Sequence, residues 1–337
     1  MGADTVRNDC GTYEVIMEKR PFIIDCDTGT DDAIAILAAL GCEEIEIVGI
    51  TCVNGNVPEE TVAHNNLNLL EYVGAEIPVS RGAWLPLAGT RTANAEQSIH
   101  GKSGLGNIQL PEAEEHDFDP RIASKFLYEE AKKRNGELEL LVTGPMTNIA
   151  ITILEHPDFC DYIRHLYFMG GSAIGGNVNT SAEFNIWVDP EAVHTVLMSP
   201  IPCTMTGLDV TNLTVMTQRE EEILRSYQTR EGDLAADLLH YMMNRENPQL
   251  RKARMHDPLA LASAVFPECM KYREYFTDTE CRGTWTRGHT AADLFNRQDR
   301  AANVSVAMEV DFPAFRDWLL ERIRLAGLRN MEEGTVV

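Results

Sequence analysis

Short apolar runs and longer amphipathic stretches take turns along this chain. Phe22-Ile23-Ile24 is an apolar run ending in Asp25-Cys26-Asp27, and it predicts a buried strand. Asp31-Asp32 opens Ala33-Ile34-Ala35-Ile36-Leu37-Ala38-Ala39-Leu40, which Gly41 closes. Acids in a first turn and a glycine just past the last turn mark a helix. Ile45 to Thr51 predicts the next strand, and Pro58 starts a helix reaching Val73-Gly74. The same rhythm predicts helices over 120–133, 147–155, 190–198, 218–228, 232–244 and 312–325. It predicts strands over 138–142, 166–169, 203–208 and 304–310. Strand and helix alternating at this spacing imply an α/β fold with a parallel sheet and crossover helices. Residues 81–118 and 245–256 are long and weakly periodic, as lids and binding loops often are.

There is no internal repeat and no Pro/Ser-rich linker, so one domain over 21–326 is expected, with a 1–20 extension and a 327–337 tail. The 29 basic and 52 acidic side chains leave a net charge of −23, which repels nucleic acid and anionic membrane surfaces. The charge suits a cytoplasmic enzyme acting on a neutral or cationic small molecule, or a cation binder. The N-terminus lacks the apolar core of a secretory signal, and no run approaches a membrane span. Eight cysteines form no CxxC pair, and several lie in apolar runs, so reduced, buried thiols and a reducing compartment are expected.

The densest chemistry is Asp25-Cys26-Asp27-Thr28-Gly29-Thr30-Asp31-Asp32, four carboxylates in eight residues at a strand's carboxyl end. A helix N-terminus accounts for Asp31 and Asp32 but not for Asp25 and Asp27. Clustered acids repel unless a cation or bound protons offset them, and all-oxygen ligands suit Ca²⁺ or Mg²⁺ better than zinc. A phosphatase of the haloacid dehalogenase type also begins with DxD, but the fifth position of this segment is Gly29 where those enzymes carry Thr or Val. Further on stand Thr143-Gly144-Pro145-Met146-Thr147-Asn148, then Asn177, then Ala182-Glu183-Phe184-Asn185, then His256-Asp257-Pro258 at the start of an apolar helix, an ordinary place for an Asp cap.

Taken in this order, with Val53-Asn54-Gly55-Asn56, His100-Gly101, Ser103-Gly104-Leu105-Gly106 and Met169-Gly170-Gly171, these segments resemble the inosine-uridine preferring nucleoside hydrolases from about residue 21 to 326. The resemblance implies an open, mostly parallel sheet flanked by helices with a Rossmann-like core, in a homodimer or homotetramer that hydrolyses the N-glycosidic bond of a ribonucleoside with Ca²⁺. It implies Asp27, Asp32, the Thr143 carbonyl and Asp257 as metal ligands, with Asp27 also the general base. Asp31, Asn56, Asn177, Glu183 and Asn185 would hold the ribose. Met169 would pack beneath the sugar, His100 would ride on a loop over the site, and Asp25 would buttress from behind. His256 would stand beside the leaving base as proton donor.

An acidic pocket suits this chemistry, because leaving-group departure builds positive charge on the sugar. Thr28 stands where many relatives carry Pro, and of the two tyrosines frequent before the His-Asp pair only Tyr241 has a counterpart. His256 stands where the purine-specific branch has Trp, which points to the branch accepting purine and pyrimidine ribosides. A related N-riboside such as nicotinamide riboside, or a non-catalytic nucleoside binder, are the alternatives.

Overall fold

The computed structural model describes residues 4–7, 13–16, 18–89, 99–246, 249 and 251–333. The chain begins with an antiparallel pair, β1 (Asp4–Arg7) and β2 (Tyr13–Ile16). There follow β3 (Arg20–Cys26), α1 (Thr30–Leu40), β4 (Ile45–Cys52), α2 (Glu59–Val73) and β5 (Val79–Ser80). Next are α3 (Ala123–Arg134), β6 (Leu138–Val142), α4 (Thr147–Glu155), β7 (Ile163–Met169), α5 (Phe184–Val188), α6 (Pro190–Leu197), β8 (Cys203–Thr206) and α7 (Leu208–Thr211). The remainder comprises β9 (Val215–Met216), α8 (Gln218–Ser226), α9 (Arg230–Glu246), β10 (Ala253–Arg254), α10 (His256–Val265), β11 (Met270–Tyr275), β12 (Thr277–Thr279), β13 (Thr290–Ala292), β14 (Val304–Val310) and α11 (Phe312–Glu333).

Eight strands form the main sheet in the order β11-β14-β8-β7-β6-β3-β4-β5. All its pairings are parallel except β11 with β14. The parallel sheet expected from the alternation, and the open form of it that the resemblance implies, are therefore present. Successive residues of β3 feed opposite apolar layers: Phe22, Ile24 and Cys26 join the layer with α1, α9, α10 and α11, and Ile23 joins the layer with α3, α4 and α6. Helix α1 is buried from Thr30 to Ala39 because it lies under α9, α10 and α11, which is why its sequence is apolar all round.

Several bounds differ from the expectation. The strand expected to reach Leu208 stops at Thr206, because Gly207 turns the chain into α7. The closing helix continues past Leu325 to Glu333. Strands β5, β9 and β10 are two residues long, and β11 alternates polar with apolar residues at the sheet edge, so neither gave an apolar run. Helix α10 starts at His256, which places Asp257 inside the first turn rather than at the cap. Cys26, Cys42, Cys52, Cys203 and Cys269 are buried free thiols, with Cys160 and Cys281 free and part-buried; Cys10 lies outside the described residues. Among the described residues no helix is long and apolar enough to cross a membrane.

Candidate active site

Strand order reverses at β3. From β3 the chain adds β4 and β5 on one side, then returns to add β6, β7 and β8 on the other. Helices from the two halves leave in opposite senses there, opening a crevice at the carboxyl ends of β3 and β6. Asp27 follows β3 and Thr143 follows β6, so the fold sets both at its binding crevice. The first turns of α1 and α10 bring Asp31, Asp32 and Asp257, whose carboxylate oxygens lie within 4.8 Å of one another. Amide dipoles at two helix starts favour negative charge there.

Named donors hold three of these acids in place, Asp32, Asp27 and Asp25. Asp32 Oδ2 accepts from the Gly29 N–H at 2.8 Å and the Asn56 amide at 3.2 Å, and its Oδ1 accepts from the Thr143 hydroxyl at 2.7 Å. Asp27 Oδ2 accepts from the Asn56 N–H at 2.7 Å. A Cβ at Gly55 would stand 1.9 Å from that same oxygen, so only glycine lets the 54–56 backbone approach so closely. Asp27 Oδ1 is buried and has no hydrogen-bond partner among the described residues. Asp25, behind the cluster, accepts from the Thr51 hydroxyl at 2.5 Å and the Asn148 amide at 2.8 Å. The Asn185 amide donates to the Thr143 carbonyl at 2.7 Å and to the Met169 carbonyl at 3.1 Å, drawing the ends of β6 and β7 together.

Burial pushes the carboxyls upward. Asp25 rises to about 7, with Thr51 and Asn148 opposing. Asp31 also rises to about 7, through burial and then the Asp32 charge, with Arg245 opposing. Asp27 and Asp257 are raised well above the usual range, by burial and then by neighbouring acids, and Asp32 is raised by burial. Five acids this close to one another cannot all ionise without a cation. The buried Asp27 Oδ1, which has no hydrogen-bond partner among the described residues, and the all-oxygen donor set of Asp27, Asp31, Asp32 and Asp257 fit a hard divalent cation lying among them.

The other expected residues divide. Asn56, Met169, Asn185 and Thr143 join the acids, as the contacts above show. His100 is buried, with Nδ1 within 3.0 Å of the Thr30 N–H and 3.8 Å from Asp31 Oδ1, and burial holds it down at about 3. Half-buried His256 has Nδ1 2.8 Å from the Thr211 hydroxyl, and burial followed by Arg254 and Arg245 lowers it to about 4. Asn177 is exposed and is tied through its backbone to Ala182. Glu183 caps α5: its Oε2 accepts from the Ile186 and Gly171 N–H groups, so it orients Asn185.

Four residues given no role from sequence also act here. Thr51 and Asn148 fix Asp25, Thr211 meets His256, and Arg245 acts electrostatically on Asp31, His100 and His256. Arg245 also donates to the Ile99 carbonyl at 2.7 Å, fastening α9 to the loop that carries His100. Part of the weakly periodic 81–118 stretch, residues 90–98, lies outside the described residues, as do 247, 248 and 250 of the 245–256 stretch.

The profile of the inosine-uridine preferring nucleoside hydrolases matches residues 22–317. This chain belongs to that family. A non-specific ribonucleoside hydrolase RihC of Escherichia coli O7:K1 is 39% identical over 310 residues, covering 91% of this chain and 99% of the relative. Among solved structures, a purine-preferring ribonucleoside hydrolase from Gardnerella vaginalis superposes with a TM-score of 0.85 at 34% identity, covering 91% of this chain and 99% of that one. A plant nucleoside hydrolase, PpNRh1, superposes with a TM-score of 0.84 at 29% identity over the same shares. The chain is a nucleoside hydrolase, and the crevice between β3 and β6 is its candidate active site.

The raised carboxyls make stability depend on pH in a definite direction. Asp25 and Asp31 titrate near 7 when folded, against about 3.9 when unfolded. Between those values the folded state of this nucleoside hydrolase holds protons that the unfolded chain has released. Stability from these groups is complete below about pH 4 and is lost as pH rises through 7. Buried His100 and half-buried His256 act oppositely below about pH 6.5, but they are two against five raised carboxyls. In a chelator, Tm should fall between about pH 5 and 7 by more than the ~2–4 °C that one kcal/mol gives in a large domain. Added divalent cation should restore it. Scanning fluorimetry with and without chelator measures both, and a metal-free Tm that rises with pH contradicts the assignment.

Proposed function

We propose that this nucleoside hydrolase is Ca²⁺-dependent and cleaves purine and pyrimidine ribonucleosides to free base and ribose. The observation that carries the reading is Asp27 Oδ1, a buried carboxylate oxygen with no partner, beside the Asp31–Asp32–Asp257 group. Asp27, Asp32, Asp257 and the Thr143 carbonyl would hold the ion. When bound, such a cation polarises water and anchors vicinal hydroxyls. Asp27 Oδ1 is free to take a proton, while Oδ2 is fixed by the Asn56 N–H. Asp31 and Asn185 would read the ribose hydroxyls; the Asn185 N–H donors are committed to backbone carbonyls, which leaves its amide oxygen to accept from the sugar. The acids stabilise the positive charge developing on the ring. Asn177 and Glu183 would reach the ribose only at the margin, given the exposure of one and the capping role of the other.

A ribonucleoside panel scored by reducing-sugar release, with and without chelator, tests the proposal. Release that persists unchanged without cation sinks the metal dependence, and activity confined to one base class sinks the broad range. The free thiols support action in the reducing cytoplasm, and a homodimer or homotetramer is expected by light scattering.

His256 would protonate the departing base. Its Nδ1 is engaged by Thr211 and its Nε2 has no partner among the described residues. His256→Ala should lower kcat on inosine by about 10²–10³-fold, within the range of general acid catalysis. It should spare p-nitrophenyl riboside, whose leaving group needs no proton. An equal loss on both substrates would make His256 a substrate-positioning group instead.

A further inference from the structure

We propose that Asn66 is a positioning residue for the reaction: through Cys26 and Thr28 it holds the turn on which Asp27 stands. The proposal rests on the reading of Asp27 as cation ligand and general base, and it concerns a buried side chain of α2 that bonds to none of the site acids.

Asp27 lies between the end of β3 at Cys26 and the start of α1 at Thr30. Thr28, the next residue, stands where many relatives carry Pro. A proline ring fixes the backbone φ unaided, and a threonine does not, so this turn needs a hold from elsewhere. Asn66 supplies one. The Thr28 hydroxyl donates to Asn66 Oδ1 at 2.7 Å. The Asn66 amide donates to Cys52 Sγ at 3.3 Å and to Cys26 Sγ at 3.5 Å. Cys26 and Cys52 are register partners at the ends of β3 and β4, so one amide bonds to both strand ends. Asn66 therefore meets the residue before Asp27 and the residue after it.

Burial makes this hold stiff. Cys26, Thr28, Cys52 and Asn66 are all fully buried, so none of their polar groups can turn to water, and a bond left unmade there is costly. The single Thr28 hydroxyl proton goes to the amide oxygen, a stronger acceptor than the Cys26 sulfur 3.2 Å away. On the other side of the turn the Asn56 N–H fixes Asp27 Oδ2 at 2.7 Å, and the Gly29 N–H donates to Asp32 Oδ2 at 2.8 Å. Backbone movement at Thr28 would therefore swing Asp27 Oδ1, the oxygen that takes the proton. Misplacement of a reacting group by ~1 Å can cost ~10²-fold in rate, so a distant amide has leverage here. The Thr28 N–H has no hydrogen-bond partner among the described residues and its φ is not positive, so a proline at 28 would break no bond.

Steady-state kinetics of the full chain at saturating Ca²⁺, well below the melting temperature, test the assignment. Thr28→Val keeps the shape and removes the hydroxyl; it should lower kcat roughly tenfold and leave KM unchanged. Asn66→Leu should do the same, and the double variant should be no slower than the slower single one, because both cut one link. The loss should be equal on inosine and p-nitrophenyl riboside, since Asp27 serves the attacking water and not the departing base. Ca²⁺ alone, titrated calorimetrically into Asn66→Leu, should bind more weakly by a similar factor. Thr28→Ser should keep kcat. Thr28→Pro restores the hold by another route, so Thr28→Pro/Asn66→Leu should recover most of the kcat that Asn66→Leu loses, which a merely space-filling Asn66 would not allow. Full kcat in Thr28→Val overturns the proposal, including when Asn66→Leu fails to fold. So does a Thr28→Ser variant as slow as Thr28→Val, or a Thr28→Pro/Asn66→Leu chain as slow as Asn66→Leu. Normal turnover by Asp27→Asn would overturn the reading of Asp27 instead; with that variant dead and Thr28→Val fully active, only the role of Asn66 falls.

Discussion

Asp27→Asn should abolish ribonucleoside hydrolysis, lowering kcat/KM by at least about 10⁴-fold, since it removes a general base and weakens cation binding together. The substitution is chosen for shape. An asparagine oxygen can still accept from the Asn56 N–H, so the tight approach of the 54–56 backbone survives. What changes is the buried oxygen that had no partner. Calorimetry should show divalent-cation affinity falling with the activity. The metal-free variant should melt no lower than the unsubstituted protein, because a neutral amide replaces an acid whose ionisation burial and Asp32 oppose. Loss of activity with normal folding and weakened cation binding is the expected triad. Turnover near the unsubstituted level would remove Asp27 from the reaction.

The second large effect concerns the sugar. A 2′-deoxynucleoside should be worse than its ribose parent by about 10³–10⁴-fold in kcat/KM, the scale seen when a site built to bond a hydroxyl loses it. Here the penalty arises from position. Asp31 is 6% exposed and Asn185 likewise 6%, so neither can turn to bulk water when the hydroxyl is missing. The loss should appear mainly in kcat if the hydroxyl contacts tighten as the ring flattens. Inosine against 2′-deoxyinosine and uridine against 2′-deoxyuridine make the comparison, and similar constants within each pair would contradict the ribose clamp.

How much of this was legible beforehand depends on where each residue's partner lies. Asp27, Asp31 and Asp32 declare themselves because their repulsion is written in eight consecutive letters. The parallel sheet declares itself because buried central strands carry short apolar runs, as Leu140-Leu141-Val142 in β6 and Phe22-Ile23-Ile24 in β3. Thr211, Thr51 and Asn148 look like any buried polar residue until folding sets them against an acid or an imidazole 45, 26 and 123 positions away. Arg245 stands in a stretch marked only as long and weakly periodic, and its effect on three site residues follows from the end of α9 reaching the Ile99 loop. Asn177 and Glu183 show the converse. Both sit near Asn185 in sequence, but a capping geometry turns one carboxylate toward backbone N–H groups, and a loop leaves the amide exposed. Edge strand β11 is invisible to periodicity because one of its sides faces no helix.

Arg245 and Tyr241 hold the 99–107 loop in a way that sets the pace of sequence drift. Arg245 reaches the Ile99 carbonyl, a Cβ at Gly106 would collide with the Tyr241 ring, and one at Gly101 would crowd the Tyr241 hydroxyl. Loop and helix end thus mate with each other, with His100 and Arg245 their links to the acids beneath. The acids answer to the carboxyl ends of the sheet's central strands and to two helix starts. A lineage can therefore exchange the loop and the last turn of α9 as a pair, altering what lies over the crevice, while the cation and sugar half stays frozen. A change to one partner alone meets the other's side chain, so the covering half is expected to vary in linked steps and the acid-lined half hardly at all.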